Sequence, residues 1–428
     1  MSNFFLKTLR WILKKLAQLT IWRFRPGIVG ITGSVGKTST KLAIKAVLEK
    51  ERKVRASGGN LNNEIGLPLT ILGNWSEKDL KLVSRDQPPG SARIWKIFFW
   101  FKVLVVSICR LIFATRSSYP EILILEYGAD RPGDLKRLLD IARPNISIIT
   151  AIGDIPVHVE FFAGPDEVAR EKARLIEYLP VAGFAILNFD DETVMNLKER
   201  TRAHVMTFGF GKGSEVQITR FENHSEEDKP VGVSFKLEHV GSFVPVRLDG
   251  VFGKAQAYAA AAAAAVGLVF GLNLVRISEA LKNYKPATSR MNLLPGLKYT
   301  YIIDDSYNAS PLSMHAALDT LKSLPGKRKI AVLGDMLEIG KYAIEAHEYI
   351  GRLAGKFLDI LITVGPRARF IAESAKEVGM RKQNIQSFDV VNDALKPVHD
   401  LIKKGDLILI KGSHAMELEK AVEEIKAF

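Results

Sequence analysis

Cysteine is nearly absent from this sequence: Cys109 is the one cysteine in 428 residues. That excludes an internal disulfide and a cysteine-built zinc cluster, and it fits a reducing cytoplasm. Acid is missing from two stretches. Residues 1–25 carry six basic side chains (Lys7, Arg10, Lys14, Lys15, Arg23, Arg25), and residues 92–116 carry five (Arg93, Lys96, Lys102, Arg110, Arg116), with no Asp or Glu in either. These two stretches hold most of the net charge of +13. The remainder is nearly balanced, so there is no basic face of the kind that binds nucleic acid. A secretory leader is also missing from this reading, because Lys14 and Lys15 break the first apolar stretch and no small-residue cleavage site follows.

Both acid-free stretches are apolar and aromatic. Within 3–22, Phe5, Leu9, Ile12, Leu16 and Leu19 recur at spacings of four and three, which predicts an amphipathic helix with Lys7, Arg10 and Lys14 roughly opposite. Segment 94–114 is long enough, at about 1.5 Å per residue, to reach across a ~30 Å hydrocarbon layer. Lys96, Lys102 and Arg110 interrupt it, and a lysine near the bilayer centre costs about 2.5–3.5 kcal/mol. The expectation is a helix lying in the membrane interface; the competing one is a buried hairpin. Basic residues among Phe, Trp and Leu suit a lipid surface. Segments 3–22 and 94–114 are therefore expected to hold the chain peripherally at the inner face of the cytoplasmic membrane.

The rest reads as α/β. GIVGITGSVGKTSTKLAIKAVLEK gives a buried strand at 28–31, a glycine-rich turn and a helix from Thr38. Strands follow at 121–129, 146–153 and 184–191, and their alternation with helical stretches implies a mostly parallel, doubly wound sheet. Short alternating runs between 205 and 250 predict a small antiparallel sheet, and the alanines at 259–265 open a tightly packed helix. After Pro286, YTYIIDD, KIAVLGD, ILITVG and LILIKGS give four strands of a Rossmann-like unit. The expected domains are a membrane-surface helix (1–25), a central nucleotide-binding domain (26–286) with an apolar basic insertion at about 76–119, and a carboxy-terminal domain (287–428).

Gly33, Ser34, Val35, Gly36, Lys37, Thr38 and Ser39 lie between strand and helix, as a phosphate-cradling loop must. Glycines let backbone N–H groups turn onto phosphate oxygens, and the helix N-terminus adds partial positive charge. Lys37 can reach the β and γ phosphates, and the Thr38 hydroxyl can ligand Mg2+. The widespread form of the loop has glycine where Ile31 stands, so this is the shorter TGxxGKT variant.

That variant is the first of several segments that resemble the Mur ligases, and among them the MurF type. NLNNEIGLPLTIL (60–72), LEYGADRPGDL (125–135), HVEFFAGPDEVAREKARLIEYLP (158–180), DDSYNASPLSMHAAL (304–318), VLGDMLEIG (332–340) and KGSHAMELE (411–419) follow in the family's order. The resemblance covers 27–428 apart from the insertion. It implies an ATP-dependent ligase that forms an amide bond through an acyl-phosphate, adding D-Ala-D-Ala or a similar amino acid or dipeptide to a cell-wall precursor peptide. It implies ATP and two Mg2+ sites: Glu126 with Thr38 at one, His158 with a carbamylated Lys172 at the other. Arg290, Asp305 and Asn308 would reach the nucleotide from the carboxy-terminal domain. Where the family carries a His-Asn pair and a further Asn, this sequence has Phe252, Gly253 and Gln256, leaving Gln256 to contact adenine. MurF enzymes begin with a domain that binds the uridine nucleotide of the substrate, whereas here about 25 residues precede the loop strand. The resemblance therefore implies a partner protein supplying that site, or an acceptor of another kind.

Taken singly, the residues allow plainer readings. Glu126 is also a strand-end carboxylate, His158 a loop histidine, and Lys172 one more charge in the helical run EVAREKARL. Asp190 and Asp191 follow a strand and read as helix caps. Two other functions stay open: a related ligase for a lipid-linked or pseudomurein-type acceptor, and a membrane-associated P-loop ATPase or scaffold. Joint retention of Lys37, Thr38, Glu126, His158 and Lys172 speaks against the scaffold.

Overall fold

The computed structural model describes residues 3–59, 61–82, 93–226 and 229–427. Continuous apolar runs become strands buried on both faces, which is what helices packed on either side of a parallel sheet require. β1 (Gly27–Thr32), β2 (Val54–Ala56), β3 (Ile122–Glu126), β4 (Ile146–Ile149), β5 (Phe184–Asn188) and β6 (His204–Gly209) form its parallel part. β7 (Val216–Glu226), β8 (Lys229–His239) and β9 (Ser242–Asp249) complete it. The nine-stranded order is β2-β3-β1-β4-β5-β6-β7-β8-β9. β7–β9 pair antiparallel, yet β6 and β7 pair at Phe208–Val216, so the antiparallel strands continue the parallel sheet instead of forming a separate one. The strand order reverses around β1. The crevice at the carboxyl ends of β1, β3 and β4 is where open α/β sheets hold ligands.

Helices α1 (Asn3–Phe24), α2 (Lys37–Leu48), α3 (Gly66–Leu72), α4 (Glu77–Lys81), α5 (Arg93–Phe113), α6 (Asp134–Leu139), α7 (Pro165–Glu177), α8 (Glu192–Met195) and α9 (Lys254–Val269) cover it. The alanine run lets α9 approach α2 closely: a Cβ added at Gly267 would lie 3.0 Å from Val47. On α1 the buried line is Leu9, Leu13, Ala17 and Phe24, while Leu19 is half exposed. The inward face is thus rotated from the predicted one, because α5 packs beside α1 and claims Leu13. Leu9 and Leu13 meet Phe99, Val103, Leu69 and Leu72, and the Arg23 guanidinium donates to the carbonyls of Ile112 and Ala114. α1 and α5 therefore run side by side in the same direction over α3. Among the described residues no helix is long and apolar enough to cross a membrane.

The second sheet contains β10 (Asn292–Gly296), β11 (Thr300–Asp304), β12 (Lys329–Gly334), β13 (Ile360–Val364), β14 (Ile385–Phe388) and β15 (Leu407–Lys411). Its order is β10-β11-β15-β12-β13-β14, with β10 antiparallel to β11. The four expected strands form its centre. β10 and β14 are edges whose half-exposed sequences, NLLPG and IQSF, carry no long apolar run. Val159, Val168 and Phe252 of the first unit join the core of the second.

Candidate active site

The turn from β1 into α2 rests on Gly33 (φ +147°) and Gly36 (φ +91°), both in the left-handed region. At Gly33 a Cβ would sit 2.1 Å from Thr150 Oγ1, so the loop is pressed against the end of β4. Ser34 and Val35 N–H donate to the Ala151 carbonyl at 2.6 and 3.2 Å. The first-turn N–H groups of α2 have no intrahelical acceptors, and they carry the positive end of the helix dipole. The Ser34 hydroxyl is buried without a hydrogen-bond partner among the described residues. An orphaned donor beside free helix N–H groups fits phosphate oxygens. Lys37 curls back over the loop, donating from Nζ to the Gly33 carbonyl at 2.6 Å. Burial lowers its pKa, with Glu126 acting in the opposite sense.

Behind the loop, Thr38 Oγ1 donates to Glu126 Oε2 at 3.3 Å. Lys41 Nζ approaches the same oxygen at 3.2 Å and donates to the Gly59 carbonyl at 2.9 Å. Burial pushes the Glu126 carboxyl upward, but Lys41, Lys37 and Arg290 outweigh it and hold the group below the usual carboxylate range. Among the described residues no cluster of three or more His, Cys, Asp or Glu forms a metal cage. Mg2+ beside a nucleotide does not need one: it takes one or two protein oxygens and completes its shell with phosphates and water. Adjacent Thr38 and Glu126 oxygens fit that requirement.

His158, in the left-handed region at φ 70°, sits at the head of a short 3-10 turn. Its Nε2 is 3.4 Å from Asp130 Oδ1 and its Nδ1 is 2.6 Å from Glu338 Oε2, the latter off the hydrogen-bonding direction. Lys172 faces inward from α7, almost fully buried. Burial, joined by the nearby Lys37 cation, lowers its amine to about 7 against the opposing pull of Asp130 and Glu171. The amine is therefore neutral for much of the time near neutral pH, and Lys172 belongs to the same charge cluster as the loop lysine.

The second unit reaches the same place. Arg290 lies over the Tyr307 ring at 4.2 Å and bears on both Glu126 and Lys37. Asp305 pairs with Lys411 at 2.6 Å, and Lys411 also donates to the Asn308 carbonyl at 2.8 Å. A cavity of about 1180 Å³ opens beside the loop between the two units, walled by Gly36, Thr40, Asp190, Tyr258, His315 and Tyr349 among others. Gln256 is not among its walls. Its Oε1 accepts from the Tyr284 hydroxyl at 2.7 Å and its Nε2 donates to the Arg290 carbonyl at 3.4 Å. The predicted adenine contact is thus replaced by a tie that fixes the Arg290 segment, because the inward face of α9 points at that segment. On the cavity side, Tyr258 donates to Asp190 Oδ2 at 2.7 Å. Asp191 does cap α8, through the Val194 N–H.

Sequence reasoning passed over Lys41, Asp130, Glu338 and Lys411. For Lys41 a signal existed: one helical turn beyond Lys37, it shares that face of α2. The others come from distant segments, and no local pattern pairs them.

What the fold and the loop define is a phosphate-loop α/β protein with a nucleotide-sized cavity between its two units. A family model of the Mur ligase middle domain matches residues 31–81 and 106–267, and one of the Mur ligase glutamate ligase domain matches 289–414. The chain is 30% identical over 417 residues to the UDP-N-acetylmuramoyl-tripeptide–D-alanyl-D-alanine ligase of Bacillus subtilis (strain 168), spanning 96% of this chain and 79% of that one. Among solved structures it resembles MurF from Acinetobacter baumannii (TM-score 0.78, 25% identity, 97% of this chain and 80% of that one). It also resembles MurF ligase from Thermotoga maritima in complex with ADP (TM-score 0.75, 26% identity, 97% and 83%). The chain belongs to the Mur ligase family and is of the MurF type.

Proposed function

We propose that this enzyme joins D-alanyl-D-alanine to the terminal carboxylate of a muramoyl-tripeptide precursor while ATP is cleaved to ADP and phosphate. A carboxylate oxygen of the tripeptide attacks the γ-phosphorus, and ADP leaves. The dipeptide amine then attacks the acyl carbon of the resulting acyl-phosphate, loses a proton, and phosphate leaves with the former carboxylate oxygen. Two anions must meet in the first step, so the site has to supply positive charge. Lys37 and the first turn of α2 supply it to the phosphates, and Arg290 adds a cation from the second unit. Thr38 and Glu126 would hold Mg2+, which neutralises phosphate charge when bound. A neutral Lys172 amine is the form that can take up CO2 as a carbamate, and with His158 it would make a second metal site. Closure of the second unit excludes water from the acyl-phosphate.

The observation that carries this reading is the buried Thr38–Glu126 contact directly behind a phosphate loop that opens on a cavity between the two units. The test is phosphate release from ATP with UDP-MurNAc-tripeptide and D-Ala-D-Ala, added separately and together. Release that needs both, with a product one dipeptide heavier, is expected. Turnover indifferent to the UDP-sugar would favour the second reading, a lipid-linked acceptor, which the exposed apolar faces of α1 and α5 support. ATP binding without turnover on any acceptor would overturn both.

A further inference from the structure

The first of these apolar faces belongs to α5, whose outward line is Ile94, Phe98, Phe101, Val105, Ile108 and Ile112, with Phe98 61% and Phe101 65% exposed. Spaced four and three apart, they form one stripe about 27 Å long at 1.5 Å per residue. The cations that interrupt the sequence are elsewhere. Lys102 pairs with Asp79, the Arg110 guanidinium donates to the Leu72 carbonyl, and Lys96 is half-buried. Beside the stripe, α1 shows Trp11 and Trp22 (61% and 72% exposed) on its own outward line, with exposed Lys15 between them. Soluble proteins rarely leave so large an apolar patch bare. The Mur ligase middle-domain model passes over residues 82–105, so the aromatic half of the stripe falls outside the pattern shared by the family.

We propose that the outward faces of α1 and α5 form a docking surface for a bilayer bearing anionic lipid, with both helices lying in the plane of the interface. The charge pattern selects this occupant. Exposed Lys7, Lys15, Arg25 and Arg116 border the patch, and neither helix contains an acid. Among the described residues, the bordering carboxylates Glu64, Asp79 and Asp140 are already paired, with Arg10, Lys102 and Lys14 respectively. A rim of one sign attracts anionic headgroups and repels a second copy of itself. Tryptophan beside an apolar stripe is the arrangement that settles at headgroup depth. Since no described helix is long and apolar enough to cross, the patch lies on the bilayer.

The test uses the full-length protein freed of detergent and sedimented with vesicles of phosphatidylcholine alone or mixed with phosphatidylglycerol, at low and high salt. Pelleting with the mixed vesicles is expected, at least about tenfold weaker on neutral ones or at high salt. Phe98→Glu/Phe101→Glu changes exposed positions only, so it should keep its circular dichroism spectrum and ATP binding while losing the vesicles. The proposal is overturned by equal partition onto neutral and anionic vesicles, or by a double variant that pellets like the parent. It is equally overturned by a parent that ignores vesicles and forms a dimer, by light scattering, which the double variant splits; the occupant is then a second copy.

Discussion

Lys41 Nζ stands 3.2 Å from Glu126 Oε2, with the two side chains only 1% and 2% exposed. The lysine holds the carboxylate against Thr38 at the back of the phosphate loop. Removing one partner of a buried pair leaves an uncompensated charge and costs about 3–5 kcal/mol. Lys41→Met is expected to lose roughly that much stability, while Lys41→Met/Glu126→Gln should lose clearly less than the sum of the single changes. Urea denaturation of the four proteins measures the coupling. Additive losses would show that the two side chains do not hold each other.

How far this pair was legible in the sequence depended on distance along the chain. Gly33 to Ser39 sit within one strand–turn–helix unit, so their arrangement follows from local geometry. Glu126 could be placed at a strand end, but its position behind Thr38, 88 residues away in sequence, follows from β3 pairing with β1. The apolar runs announced the central strands, since a strand covered on both faces must be apolar throughout. The edges β10 and β14 need no such run and stayed invisible. Gln256 went astray for a related reason: its residue type suited a base, but which face of α9 meets the cavity is settled by packing against α2.

Lys172 gives stability a defined dependence on pH. Burial lowers its amine to about 7 in the fold, against about 10.4 in the unfolded chain. Between those values the unfolded state binds more protons, so stability rises with pH across the window and falls back as pH drops toward 7. The slope contributed is up to about 1.4 kcal/mol per pH unit. Lys172→Met should flatten it. Denaturation midpoints across the window, in bicarbonate-free buffer, compare the two proteins; equal slopes would mean that the amine is not desolvated. Adding bicarbonate to the parent should raise ligase activity if the neutral amine takes up CO2.

Gln256 separates architecture from base recognition. Gln256→Leu removes the acceptor of the buried Tyr284 hydroxyl, which costs about 1–3 kcal/mol. Because the amide points away from the cavity, the ratio of kcat/KM for ATP to that for GTP should stay the same. Tyr258→Ala, which opens the cavity wall beside Asp190, should change that ratio. Steady-state kinetics with both nucleotides decides between them. A shift in selectivity with Gln256→Leu would return this side chain to the base site.

Glu338 is the point at which the second unit reaches the His158 loop. Its carboxylate lies 2.6 Å from His158 Nδ1, and its backbone carbonyl accepts from the Glu160 N–H at 3.3 Å. Two contacts from one residue tie the second unit to the His158 loop, and in the proposed mechanism this tie would act as the latch that keeps an acyl-phosphate from water. Glu338→Ala removes the side-chain contact and keeps the backbone one. The closed state should weaken, nucleotide binding at the loop should change little, and coupling should suffer most. Phosphate released per peptide product is the quantity to follow. A ratio near one in the parent should rise severalfold in the variant, and kcat for product should fall by about tenfold, equivalent to roughly 1.4 kcal/mol. A variant that slows turnover while keeping the ratio at one would place Glu338 in substrate binding instead, since loss of closure exposes the intermediate to hydrolysis and loss of binding does not.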